Sequence, residues 1–330
     1  MTEAVAAILW LSLTVYAVLA GADFGGGVWD ALAWGPRARS QRLAIATAMG
    51  PVWEANHVWL IFLIVGLFTA FPPAFAALAV ALYLPFTVAM IGIVLRGAAF
   101  AFRAHGREAV GRLEPWGVVF GAASVLTPAF LGAAAAAVAS GAIRVSGGSV
   151  TSGPFAGWTT LLAVDLALLA VSLCAYLAAT YLVVETEGER DLQADFRRRA
   201  VGAALASGAF ALIGLVLAWF SARPLLDVLF GRGLPLLVLA LLNGPLALVA
   251  VLRGRPQIAR VAVAAQVVFV LWAWAVGQWP YLVPPDLTFD GTASPVATLS
   301  LLLVVVAAGM AVLLPSLYLL FRVFKGRVPA

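Results

Sequence analysis

The chain has 330 residues, of which 64% are hydrophobic and only 11% charged, with a mean hydropathy of +1.04. Those values exclude an ordinary soluble globular domain. The formal charge of +5 and isoelectric point near 9.9 do not indicate nucleic acid, because the basic residues are dispersed over short loops and form neither a patch nor an RNA-reading motif.

Apolar runs recur along the whole length, each of the roughly 20 residues that an α-helix needs to cross a ~30 Å hydrocarbon core. They predict an all-α fold, a polytopic membrane helix bundle forming a single integral-membrane domain over residues 1–330. Nine helices are expected, at 4–34, 43–71, 74–102, 116–139, 157–184, 200–220, 234–252, 258–279 and 297–321. Met1-Thr2-Glu3 is acidic where a signal peptide carries basic residues, and the apolar run after it is too long for one, so the first helix is expected to be retained. With nine helices, 17 of the 20 Lys and Arg residues fall in loops on one side and only Arg144, Arg223 and Arg232 on the other. The positive-inside rule then places the N-terminus outside and the C-terminus in the cytoplasm.

The first helix carries Gly21-Ala22-Asp23-Phe24-Gly25-Gly26-Gly27, where glycines permit either close approach of a neighbouring backbone or a local break. The second carries Gly50-Pro51-Val52-Trp53-Glu54-Ala55-Asn56-His57-Val58-Trp59, an acid, an amide and an imidazole within a membrane span, with Pro51 favouring a kink. Asp23 lies 11 residues before its predicted helix end and Glu54 11 after its predicted start, so at 1.5 Å per residue both carboxylates sit roughly 16 Å deep. Glu54 and His57, spaced i, i+3, share a helix face. Ionisable groups at such depth line a protein interior, a water cavity or an ion path. A proton path through Asp23, Glu54 and His57 is one reading; a hydrogen-bonded knot that fixes helix packing is the other.

Arg96 lies roughly 10 Å inside the end of the third helix and is expected to snorkel or to form a structural ion pair. Asp30, near the same boundary, is expected to be solvated or paired. The Ser/Gly-rich stretch 140–153 reads as a flexible external connection, and Asp165 is placed about 12 Å below the outer boundary by helical rise. Asn243-Gly244-Pro245 marks a break in the seventh helix, and Gln278 to Pro285 places aromatics and prolines at the outer interface.

Ligands for redox metals are scarce. Cys174 is the only cysteine, which leaves neither a disulfide framework nor a cysteine metal site. His57 is the only histidine within a predicted span, with Met49 and Met90 the internal methionines nearest it in sequence, and one histidine cannot furnish several haem sites.

These residues resemble subunit II of the cytochrome bd-type quinol oxidases. Gly21 to Gly25 resembles the family's N-terminal Gly-Phe-Asp-Leu-Gly element, and Pro51 to Trp59 its Pro-x-Trp-Asp/Glu-x-Asn-x-Val-Trp signature. Later blocks follow in the same order, at Leu95-Arg96-Gly97 to Arg103, Thr186-Glu187-Gly188, Trp279-Pro280-Tyr281 to Thr288, and Phe324-Lys325-Gly326. The resemblance implies a complex in the prokaryotic cytoplasmic membrane that oxidises quinol and reduces dioxygen to water. It implies that haem b and haem d sit in the partner, subunit I, and that this chain ligates no cofactor and carries no catalytic residue. It leaves room for a small accessory subunit and for bound lipid or quinone. Asp23 and Glu54 then correspond to proton-path acids, and Trp59, with Asn56 and Trp53, to the oxygen route or the subunit interface. Two positions depart from the family pattern: Ala101 stands where Glu is common, and Ala22 where Phe is usual. The rival readings are an ion-coupled secondary transporter and a purely structural partner subunit.

Overall fold

The computed structural model describes residues 1–49, 53–105 and 115–325. Gly50, Pro51 and Val52, and with them the expected Pro51 kink, lie outside these residues, as do the Arg107 to Arg112 loop and Gly326. In chain order the helices are α1 (Thr2–Ala31), α2 (Ala38–Met49), α3 (Trp53–Ala70), α4 (Pro72–Ala81), α5 (Tyr83–His105), α6 (Pro115–Ala139), α7 (Leu161–Glu185), α8 (Arg190–Ser221), α9 (Arg223–Phe230), α10 (Leu234–Leu252), α11 (Pro256–Gln278), α12 (Phe289–Thr292) and α13 (Val296–Lys325). Two short antiparallel hairpins, β1 (Val145–Ser146) with β2 (Ser149–Val150) and β3 (Tyr281–Val283) with β4 (Leu287–Thr288), cap one end. Eight helices among the described residues are long and apolar enough to span a membrane, and the count is nine where α2 and α3, bent by 53°, are taken together as one broken span.

The expected bundle is therefore present, with corrections at four places. First, α1 is unbroken through Gly21 to Gly27; the glycines there serve close approach. Second, the expected 74–102 helix is two helices that meet at Leu82. Pro85 explains the joint, since it has no N–H to donate to the carbonyl of Ala81, while the amide of Phe86 still reaches Leu82 O at 3.0 Å. Third, α8 begins ten residues before the expected position, because Arg190 to Arg199 extend the helix beyond its apolar part. Fourth, Asn243-Gly244-Pro245 lies within continuous α10; Asn243 Nδ2 donates to Leu239 O at 2.8 Å, and Gly244 makes room for the side chain of Gln266.

Ion pairs report which loops share an end. Arg37 binds both carboxylate oxygens of Asp195 at 2.8 and 2.7 Å, and Arg103 binds both oxygens of Asp30 at 3.0 Å; both arginines belong to the 17 basic residues on one side. At the opposite end Arg144 binds Asp286 at 2.8 and 3.1 Å, and the amide of Ser294 donates to Ala70 O. The alternation of loops read from charge thus agrees with these contacts. The 140–153 stretch is consequently not a loose connection: it forms a hairpin, and the amide of Val145 also donates to Asp286 at 2.8 Å.

The Arg144 guanidinium, helped by the Val145 N–H, holds the Asp286 carboxyl below the usual carboxylate range. A depressed folded-state value stabilises the fold above the unfolded carboxylate value of about 3.9, and that contribution disappears as pH falls through the folded value. Asp286→Asn should accordingly lower the melting temperature modestly at pH 7, and the difference from wild type should shrink as the buffer is taken below that value.

Candidate functional site

The centre of the first half is α1, which packs against α3, α6 and α7. At Gly25 a β-carbon would collide with the main chain of Cys174 on α7, and at Gly27 with the Ser124 side chain on α6. The glycines therefore let three helices close around the turn that carries Asp23. Polar side chains then meet in the gap that closure leaves.

Asn56 Nδ2 donates to Asp23 Oδ2, joining α3 to α1. Arg96 enters from α5 and is 1% exposed, with its guanidinium over Phe24 on one side at 5.1 Å and Phe120 on the other at 5.2 Å. Its Nε and Nη2 have no hydrogen-bond partner among the described residues, and Asp23, Tyr16 and Cys174 lie within electrostatic reach of it. An isolated cation in a membrane interior is costly, by several kcal/mol, and the rings and the carboxylate offset that cost together. The expected snorkelling does not occur.

His57 stands edge-on to Phe24 at 6.1 Å and tilted against Tyr16 at 5.8 Å. Trp59 packs with Tyr16, Ala20, Phe24 and Cys174, and its carbonyl accepts from Ser12 Oγ at 2.7 Å. Asp23, Asn56, His57, Trp59 and Arg96 therefore converge. Glu54 does not: it is exposed on the outer surface of α3. Helical geometry accounts for the split, because two residues rotate a side chain by about 200°, so Asn56 turned inward sends Glu54 outward. The Trp53 side chain lies outside the described residues.

A bidentate ion pair lies two turns further along α1 and α5. The Asp30 side chain is 2% exposed within its bidentate contact with Arg103, and Arg103 also lies over Phe120 at 5.2 Å, sharing that ring with Arg96. Asp30 and Asp23 are seven residues apart on α1, as are Arg103 and Arg96 on α5. Seven residues are close to two turns and roughly 10 Å, so two Asp/Arg levels stack on one side of the bundle between the helix ends and mid-membrane.

Sequence reasoning missed Tyr16, Cys174 and Phe120. Tyr16 had a signal, seven residues before Asp23 on the same face of α1; Cys174 and Phe120 had none. Asp165 is 4% exposed, faces Gly214 of α8, and its Oδ2 lacks a hydrogen-bond partner among the described residues. It is four residues into α7, about 6 Å by helical rise and not the expected 12. It does not join the cluster around Asp23.

The described residues contain no group of three His, Cys, Asp or Glu side chains placed to hold a metal ion. His57 is wedged between the rings of Tyr16 and Phe24, Met49 is packed against Gly26, and Met90 is 62% exposed on the outer face of α5, so neither methionine faces the histidine.

A family model described as cytochrome bd terminal oxidase subunit II matches residues 1–324. The cytochrome bd ubiquinol oxidase subunit 2 of Bacillus subtilis is 33% identical over 115 residues, an alignment that spans 34% of this chain and only a third (33%) of that relative. A putative cytochrome bd menaquinol oxidase subunit II of the same organism is 22% identical over 333 residues, covering 96% of this chain and 93% of the relative. In the solved bd oxidase of Geobacillus thermodenitrificans, one chain superposes with a TM-score of 0.74 at 24% identity, over 98% of both chains.

Proposed function

Since the chain belongs to the cytochrome bd terminal oxidase subunit II family, we propose that it is the haem-free subunit of a quinol:dioxygen oxidoreductase and carries protons towards an oxygen-reducing centre in its partner. It is a multi-pass subunit in the prokaryotic cytoplasmic membrane. Haem b and haem d, on this reading, belong to subunit I, in keeping with the poor ligand set described above.

The observation that carries the proton role is the stacking of Asp30/Arg103 and Asp23/Arg96 two turns apart. Protons consumed in making water come from the cytoplasm, and the proposed orientation puts the Asp30 end there. Asp23 takes the proton at mid-membrane, Arg96 balances its charge, and Asn56 fixes its carboxylate. The first turn of α3 then leads from Asn56 inside to Glu54 on the outer surface. A carboxylate at that depth is costly against lipid, so Glu54 marks the face that subunit I covers, with Ile61, Val65 and Phe68 continuing it along α3. Oxygen approaches past Trp59, and further along α3 the side chains of Val5, Leu9, Phe62, Leu302 and Leu303 line a shallow apolar recess beside Gly66.

The transporter reading needs buried acids beside paired helix breaks; Gly21 to Gly27 and Asn243 to Pro245 are continuous helix, and among the described residues the bend between α2 and α3 is the one sharp break. The structural-partner reading differs from the proposal only in activity. Affinity purification through a tag on this chain, from native membranes, is the first test. A larger partner with b- and d-type haem absorption should accompany it in equal amount. Isolation of the chain alone and without haem would overturn the assignment.

A further inference from the structure

Seven residues separate Asp23 from Asp30 on α1, roughly 10 Å by helical rise. No direct proton transfer covers that gap, because donor and acceptor must come within hydrogen-bond reach or be joined by one water. Gly27 lies between them, four residues after Asp23 and three before Asp30, and within about 60° of both around the helix. It has no side chain to place in the gap; α6 supplies one. A β-carbon at Gly27 would collide with Ser124 Oγ and Cβ, so the Ser124 hydroxyl stands where a side chain between the two carboxylates would stand. The same β-carbon would lie 3.3 Å from Phe120 Cε1, on the ring that Arg96 and Arg103 both overlie at 5.2 Å. Ser124 is fully buried, and its Oγ donates to Phe120 O at 2.7 Å. That bond uses the one hydroxyl proton and leaves the oxygen lone pairs free to accept.

We propose that the Ser124 hydroxyl relays protons from the Asp30 level to Asp23, which rests on the proton route set out above. The oxygen takes a proton from the Asp30 side on a lone pair while its own O–H turns away from Phe120 O and gives up its proton towards Asp23. Rotation back to Phe120 O resets the group. One proton enters for each that leaves, and no charge stays on the serine. From Gly27 the two carboxylate levels are roughly 6 and 4.5 Å away along the axis, spans that one bridging water covers. A packing role needs no oxygen at this position. A serine that bonds back to the carbonyl four residues earlier slightly destabilises its helix, and α1 gives up a side chain at Gly27 to admit it.

Oxygen uptake and melting temperature of three variants, each in the intact purified complex, test this. Ser124→Ala should slow quinol-driven uptake by about tenfold, less than the roughly hundredfold of a positioned acid or base, with haem absorption and melting temperature unchanged. Ser124→Gly vacates about the volume of one water, which takes the place of the hydroxyl, so its uptake should exceed that of Ser124→Ala. Gly27→Ala combined with Ser124→Gly puts a methyl group where the hydroxyl was, so that complex should be as stable as wild type and as slow as Ser124→Ala. Packing alone forecasts the reverse order, with Ser124→Gly the slowest and the swapped pair restored, and that order would overturn the relay. Wild-type uptake in Ser124→Ala beside a slow Asp23→Asn would overturn the relay and leave the proton route; wild-type uptake in both would remove the route as well. If either glycine variant does not assemble, Ser124→Ala decides by itself, since it removes a single oxygen atom.

Discussion

Asp23→Asn, in a complex that assembles with unaltered haem absorption, should slow quinol-driven oxygen uptake by about tenfold to a hundredfold, the scale at which a positioned proton-transfer group contributes. The amide is nearly the same shape and still offers an oxygen to Asn56 Nδ2, so geometry survives and only the capacity to carry a proton is lost. The substitution also removes the negative charge that balances buried Arg96, so thermal stability should fall as well. Adding Arg96→Gln separates the two effects. The double variant should regain stability, because the unbalanced cation is gone, and should remain slow. A purely structural knot makes the opposite forecast, with uptake following stability in both variants. Asp165→Asn, outside the cluster, should leave uptake unchanged, while Glu54→Gln should slow it in the manner of Asp23→Asn. Full uptake in Asp23→Asn would remove the proton route and leave the packing role.

Most of the fold was legible because a bilayer imposes one rule on every span. Backbone groups must be satisfied within the helix, so about 20 apolar residues and the charge of the loops suffice to place it. What escaped lay where that rule is silent. Arg190 to Arg199 look like a loop by hydropathy and are helix, since a charged segment beyond the hydrocarbon core can stay helical at no desolvation cost. The glycines of α1 looked like a break and are contact surface, a distinction decided by what packs against them. Within the site, depth was readable and direction was not: Asp23 and Glu54 are spaced symmetrically about their loop, yet one faces inward and the other outward. The i, i+3 pairing of Glu54 with His57 drew attention to a shared face, whereas Asn56 between them is the residue that turns towards Asp23. Phe120 and Cys174 belong to distant helices in apolar runs, and only tertiary packing brings them to Arg96.

Packing also sets the second large effect. Gly25→Val should prevent accumulation of the assembled complex, because even the first carbon of the new side chain meets the Cys174 main chain on α7 and comes within 2.7 Å of the Ala178 β-carbon. A backbone carbonyl inside a helix cannot rotate away, so α1 and α7 must separate. Their separation would loosen the Trp29 Nε1 bond to Ala175 O at 2.7 Å and the burial of Tyr16, Phe24 and Trp59 beside Cys174. Overpacking typically costs about 1–3 kcal/mol and more when the neighbour is rigid; here the loss should reach the upper end or beyond. Gly21, one helical turn earlier, supplies the control. A β-carbon there meets only the Leu177 side-chain tip at 3.3 Å and Cys174 Sγ at 3.6 Å, groups that can shift by a few tenths of an ångström. Gly21→Ala should therefore assemble normally and lower the melting temperature of the purified complex slightly or not at all. Equal tolerance of both changes would mean that α1 and α7 are not held as closely as the Gly25 contact requires, and Asp23 would then lose the fixed setting on which the proposed proton route depends.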